Sequence, residues 1–157
     1  MKTIAYFIRT ILFGFGLILT GCTQNGQFTL LDGKSYSLDD FSGQWVIINF
    51  WAEWCSPCLE EIPELNKLAN QEQAFKVTVI GVSYDQLTLN QLTDTVKKWQ
   101  IEYPVIATEP VPILPFELPP TLPTNYLLNP DGKIVAKLVG TQTYESLNAA
   151  ILKAQNK

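Results

Sequence analysis

The stretch Trp45-Val46-Ile47-Ile48-Asn49-Phe50-Trp51-Ala52-Glu53-Trp54-Cys55-Ser56-Pro57-Cys58 decides how the chain is read. Its first seven residues form an apolar run rich in β-branched and aromatic side chains, the composition of a buried strand. Leu59, Ile62, Leu65 and Leu68 then recur at helical spacing. A Cys-x-x-Cys pair therefore sits where a buried strand hands over to a helix N-terminus. The unsatisfied N–H groups and dipole of a helix start favour negative charge. Such a setting lowers a thiol pKa from about 8.5 into a range of roughly 3.5–7.5. The pattern predicts a dithiol poised for redox exchange.

The rest of the composition narrows the chemistry. At 157 residues the chain is one domain's worth, and 46% apolar with 11% aromatic residues is enough for a real core. The formal charge is −4, and it becomes −6 if Lys2 and Arg9 leave with an N-terminal leader. An acidic body gives no electrostatic reason to bind nucleic acid. Histidine is absent, which removes the commonest general base and the commonest metal ligand together. There are three cysteines, Cys22, Cys55 and Cys58. Two thiols without histidine leave a tetrahedral zinc set half empty. A bridge closing so short a loop restricts the unfolded chain very little, which argues against a purely stabilising disulfide. No nucleotide, flavin or metal cofactor is expected.

Residues 1–21 read as a secretory leader, with Lys2 and Arg9 as its basic region and Ile11–Leu19 as a short apolar core. The apolar stretch falls well short of the roughly 20 residues of a spanning helix. Leu19-Thr20-Gly21-Cys22 resembles a bacterial lipobox, in which Cys22 takes the lipid. Residues 22–26 then form a tether and 27–157 the domain. Thr23 stands where inner-membrane retention uses Asp, which leans towards an outer-membrane anchor in a Gram-negative host.

Within the domain, residues 27–38 read as a hairpin around Asp32-Gly33, and residues 75–82 as a second buried strand. Pro63 is expected to kink or distort the helix after Cys58. Thr88 and Gln91 fit a capping box ahead of an apolar stripe at Leu89, Leu92, Val96 and Trp99. Seven of the ten prolines lie in residues 104–123, which rules out regular structure through most of that segment. Residues 124–139 form a hairpin around Asn129-Pro130-Asp131-Gly132, and Tyr144, Leu147, Ile151 and Ala154 mark a last helix. This order predicts an α/β fold, a mixed sheet with helices on both faces and an N-terminal β-hairpin.

Over residues 27–155 the chain resembles the thioredoxin superfamily, specifically the TlpA/ResA-type extracytoplasmic thiol–disulfide oxidoreductases. The resemblance rests on residues 49–58, on Leu59-Glu60-Glu61-Ile62-Pro63, on Leu122-Pro123-Thr124 and on Asp131-Gly132. It implies a thioredoxin-like fold and a Cys55–Cys58 dithiol/disulfide in which Cys55 attacks and Cys58 resolves. It implies a cis peptide before Pro123, and a substrate surface made by Trp54, Ser56, Pro57, Leu122 and Pro123. Asn49 replaces the buried Asp of thioredoxin itself, so the base for Cys58 must lie elsewhere. Glu61, three residues past Cys58 and on its helix face, matches the acidic residue of ResA-like proteins. Burial would raise its pKa towards neutrality, whereas a place on a solvated Glu60-Glu61 pair would give it no role.

The expected activity is reduction of protein disulfides outside the cytoplasm by a lipid-anchored monomer, recharged by a membrane donor of the DsbD or CcdA kind. Cytochrome c maturation is a common task of this family. The competing readings are an oxidase or isomerase of the same fold, a peroxide-reducing enzyme, and a metal carrier. Copper-handling relatives use an additional histidine, which this chain lacks.

Overall fold

A computed structural model describes residues 26–71 and 76–156. The leader, the tether up to residue 25 and Cys22 lie outside the described residues. The elements are β1 (Phe28–Thr29), β2 (Ser35–Tyr36), a 3-10 helix (Leu38–Phe41), β3 (Trp45–Trp51), α1 (Ser56–Asn70) and β4 (Val77–Ser83). They continue with α2 (Leu89–Lys98), β5 (Val105–Ile106), β6 (Thr124–Leu128), β7 (Ile134–Val139) and α3 (Tyr144–Gln155). β1 and β2 form a separate antiparallel pair. The main sheet runs β5-β4-β3-β6-β7, with β3, β4 and β5 parallel and β6 and β7 antiparallel.

β3 is the middle strand, and all seven of its residues are buried. Its alternate side chains feed two cores. Trp45, Ile47 and Trp51 join a cluster with Cys58, Ile62, Leu65 and Leu68 of α1, Leu92 of α2, and Leu147 and Ile151 of α3. Val46, Ile48 and Phe50 join Phe28, Leu30, Leu38, Ile80 and Tyr126, against which Phe116 and Leu114 pack. All three α-helices thus cover one face. The step from β3 through α1 to β4, then through α2 to β5, moves one way along the sheet, and right-handed crossovers then put both helices on the same side. The other face is roofed by the hairpin, the 3-10 helix and the proline-rich segment. Helices on both faces are found only if that 3-10 turn is counted.

The N-terminal hairpin is shorter than its sequence suggests, because its backbone is shared with the main sheet. Leu31 donates to the Val105 carbonyl and Ala107 to that of Thr29. The hairpin thereby covers the β5 edge, which would otherwise offer unpaired groups to another chain. α1 continues through Pro63 to Asn70. The Thr88/Gln91 capping box forms, but Leu89 is 52% exposed and leaves the expected stripe. Leu87, just before the cap, packs on the cluster that holds the fully buried Leu92 instead. That is the hydrophobic-staple spacing, N′ against N4, and it turns the first helical residue outward.

Gly81 of β4 lies beside Asn49 of β3 and Val105 of β5. A Cβ here would stand 3.0 Å from Tyr103 Cε2, 3.2 Å from Val105 Cγ2 and 3.3 Å from Trp51 Nε1. These neighbours are buried, so none can yield freely. Gly81→Ala is expected to cost about 1–3 kcal/mol by overpacking. Urea unfolding of the purified protein checks this; an unchanged midpoint would mean that the ring of Tyr103 has room to move.

Candidate active site

Cys55 is the N-cap of α1, Ser56 its first residue, and Pro57 follows where a missing N–H leaves no intrahelical bond unmade. The Cys55 carbonyl accepts from Cys58 N–H at 2.9 Å and from Leu59 N–H at 3.2 Å. Cys55 and Cys58 are joined as a disulfide. Cys55 is 6% exposed and Cys58 1%, with Ser56 and Pro57 open to solvent between them. Both cysteines belong to the buried core cluster, Cys55 slightly the more accessible at the helix cap and Cys58 one turn further in.

Trp54 is 67% exposed, and its indole N–H donates to Asp85 Oδ1 at 2.9 Å. Leu122 is half-buried and touches both cores, Pro123 is buried, and the peptide between them is cis. The Pro123 carbonyl accepts from Gly140 N–H at 2.9 Å, which ties the start of β6 to the end of β7.

Glu61 is fully buried, whereas Glu60 beside it is exposed. Its Oε1 accepts from Asn125 Nδ2 at 2.7 Å and from the Gln142 backbone N–H at 2.9 Å. Its Oε2 accepts from Asn49 Nδ2 at 3.2 Å. Asn49 also donates to Asn125 Oδ1 at 3.0 Å, and its own Oδ1 accepts from the Tyr103 hydroxyl at 3.1 Å. The Tyr103 proton thereby fixes which way the Asn49 amide faces. Burial pushes the Glu61 carboxyl up from 4.5 to about 7, against the opposing pull of the three donors. Tyr103 is held above its ordinary range by burial and by the nearby Glu61 charge.

The sequence pointed to Cys55, Cys58, Glu61 and Asn49 in this region; it did not point to Asn125, Tyr103 or Gln142. Asn125 had one visible signal, a polar amide after Thr124 at the head of a strand that continues as Tyr126-Leu127-Leu128. Its meaning depends on the antiparallel register that sets it opposite Asn49. Tyr103 and the Gln142 amide arrive only through tertiary packing.

A disulfide capping a helix, backed by a buried carboxyl whose partners all donate, is a site for exchanging electron pairs between sulfurs. The chain belongs to the AhpC/TSA family, whose model matches residues 23–137. It is a thioredoxin-like thiol–disulfide oxidoreductase. It is 34% identical over 129 residues to the thiol-disulfide oxidoreductase ResA of Bacillus cereus, which covers 82% of this chain and 74% of that one. It is likewise 34% identical to ResA of Bacillus subtilis over 123 residues, 74% of this chain and 66% of that one. Among solved structures, the thioredoxin domain of a thiol-disulfide oxidoreductase from Bacteroides vulgatus matches with a TM-score of 0.63 and 28% identity. That match covers 80% of this chain and 91% of that one.

A raised carboxyl pKa makes the folded state bind more protons than the unfolded one between pH 4.5 and about 7. Stability from this group is therefore full below 4.5 and is lost as the pH climbs through 7, by up to about 3 kcal/mol. The lowered carboxyls of Asp40 and Glu145 act oppositely and at lower pH. Glu61→Gln is expected to abolish the fall between pH 4.5 and 7 in denaturant titrations. A variant that keeps the wild-type slope would place the titration elsewhere.

Proposed function

We propose that the chain is a lipid-anchored reductase of protein disulfides working outside the cytoplasm, with Cys55 as nucleophile, Cys58 as resolving thiol and Glu61 as the base for Cys58. The observation that carries this reading is the buried Glu61 carboxyl one helical turn past Cys58, surrounded only by donors. In the forward reaction the Cys55 thiolate attacks the substrate disulfide, forming a mixed disulfide and releasing one substrate thiolate. Cys58 gives its proton to Glu61 and attacks Cys55 Sγ. That step restores the Cys55–Cys58 disulfide, releases the second substrate thiolate and completes a two-electron transfer. None of the Glu61 partners can accept a proton, so a proton taken up there has to return outside the amide set.

The direction follows from what stabilises the reduced form. Strong oxidants hold their reduced state by stabilising a thiolate. Here the chain has no histidine, Lys98 is ion-paired to Glu53, and an ionised Glu61 opposes a Cys58 thiolate. Among the described residues only the start of α1 is placed to favour the Cys55 thiolate, so the balance tilts towards the disulfide and the protein gives electrons away. Trp54, Ser56, Pro57, Leu122 and Pro123 form the surface that meets the substrate in this reading.

Export rests on Lys2, Arg9, the apolar core at residues 11–19 and the Leu19-Thr20-Gly21-Cys22 box. Residues 1–21 would be removed and residues 22–26 would tether domain 27–157 to a membrane through Cys22. A membrane donor of the DsbD or CcdA kind would recharge the monomer, and keeping the haem-binding cysteines of cytochrome c reduced is the task the resemblance implies.

Cys58→Ser is expected to accumulate a mixed disulfide between Cys55 and a disulfide substrate, seen as a mass adduct, and Cys55→Ser to form none. Equilibration with glutathione or dithiothreitol should give a reduction potential below about −200 mV. A value near or above about −150 mV would make the protein an oxidase instead.

A further inference from the structure

A cleft of about 290 Å³ lies between residues 83–86 and the proline-rich segment 111–118. Asp85, which lines it, holds the Trp54 indole, and Trp54 is the chain neighbour of Cys55. Tyr84, also in the lining, donates its backbone N–H to the Trp51 carbonyl at 2.7 Å. The cleft thus adjoins Trp54, the residue before Cys55. Its outer wall carries unusually exposed apolar side chains: Val111 is 64% exposed, Ile113 61% and Leu118 57%. The wall is anchored from behind, where Ile113 N–H donates to the Gln27 carbonyl at 3.1 Å and Phe116 packs edge-on against Phe50.

The charge around this cleft has one sign. Asp85 lines it, Glu109 and Glu117 lie exposed on the segment, and no lysine or arginine occurs between Lys98 and Lys133. We propose that the cleft docks the substrate polypeptide itself, an unfolded segment with apolar side chains and a lysine or arginine near its cysteines. The proposal rests on the dithiol reading above. A cleft at the lower end of the roughly 300–1,000 Å³ of small-molecule sites takes a side chain or two of a docking polypeptide. A second copy of this chain would set one acidic rim against another, a like-charge juxtaposition that disfavours it. A basic apolar segment satisfies both the wall and the rim.

The test compares three disulfides as oxidants of the reduced full-length chain. They are oxidised glutathione, a cystine peptide flanked by leucine and lysine, and the same peptide with glutamate for lysine. The lysine peptide is expected to react about tenfold faster than the glutamate peptide at low salt, with the advantage shrinking as salt rises. Val111→Ser/Ile113→Ser, a double change at exposed positions, should slow the lysine peptide about tenfold and leave the glutathione rate unchanged. Equal peptide rates in wild type, or a double variant that handles the lysine peptide normally, would overturn the docking proposal alone. A concentration-dependent dimer lost in the double variant would assign the cleft to a second copy and also overturn it. Failure to react with any disulfide, glutathione included, would overturn the dithiol reading beneath it.

Discussion

The carboxyl of Glu61 is the constraint on which the rest of the structure depends. It comes from α1, and its three donors come from β3, β6 and the loop ahead of α3. Each is neutral, so the charge is solvated by dipoles and not cancelled by a cation. A buried ion in that position is costly, and the pKa moves to share the cost between protonation states. The same bonds fix the helix that carries both cysteines against the middle of the sheet. The disulfide and the buried carboxyl are therefore one mechanical unit.

That arrangement requires much of its surroundings. Asn49 must sit at the centre of β3, with its side chain on the helical face. Asn125 must lie opposite it in the antiparallel register with β6. Tyr103 reaches Asn49 across Gly81, where the absence of a side chain leaves room for the ring. The hydroxyl proton then orients an amide that would otherwise be free to turn over, presenting its donor to Glu61. The hairpin that covers β5 backs this corner through Leu31 and Val105.

The strand-to-helix passage was legible because a continuous apolar run, a Pro in the first helical turn and helical leucine spacing all point the same way. The two late hairpin strands and α3 were legible for similar local reasons. What the sequence could not convey was long-range. Leu89 fits the apolar stripe by spacing, yet Leu87 takes the inward place because the capping box sets where the helix starts. The siting of all three α-helices on one face depends on strand order, which periodicity does not encode. Glu61 was readable as a candidate through its spacing from Cys58. Two of its three donors lie 64 and 81 positions away, and Tyr103, which orients the third, is 54 positions from Asn49, separations that no local pattern connects.

The proline-rich connection shows the same division. Its composition correctly excludes long regular elements, and only a two-residue strand forms there. Composition does not say that the segment folds back over the second core and turns three apolar side chains outward along the cleft that Asp85 lines. Proton exchange between Cys58 and Glu61 requires that Glu61 titrate in the neutral range. The most direct measurement is the nitrogen-resolved NMR shift of the Gln142 amide, which donates to that carboxyl, followed across pH. A midpoint near 7 that vanishes in Glu61→Gln is the predicted result. A midpoint near the ordinary carboxyl value of about 4.3 would contradict it, because Glu61 would then be a fixed anion unable to exchange protons with Cys58.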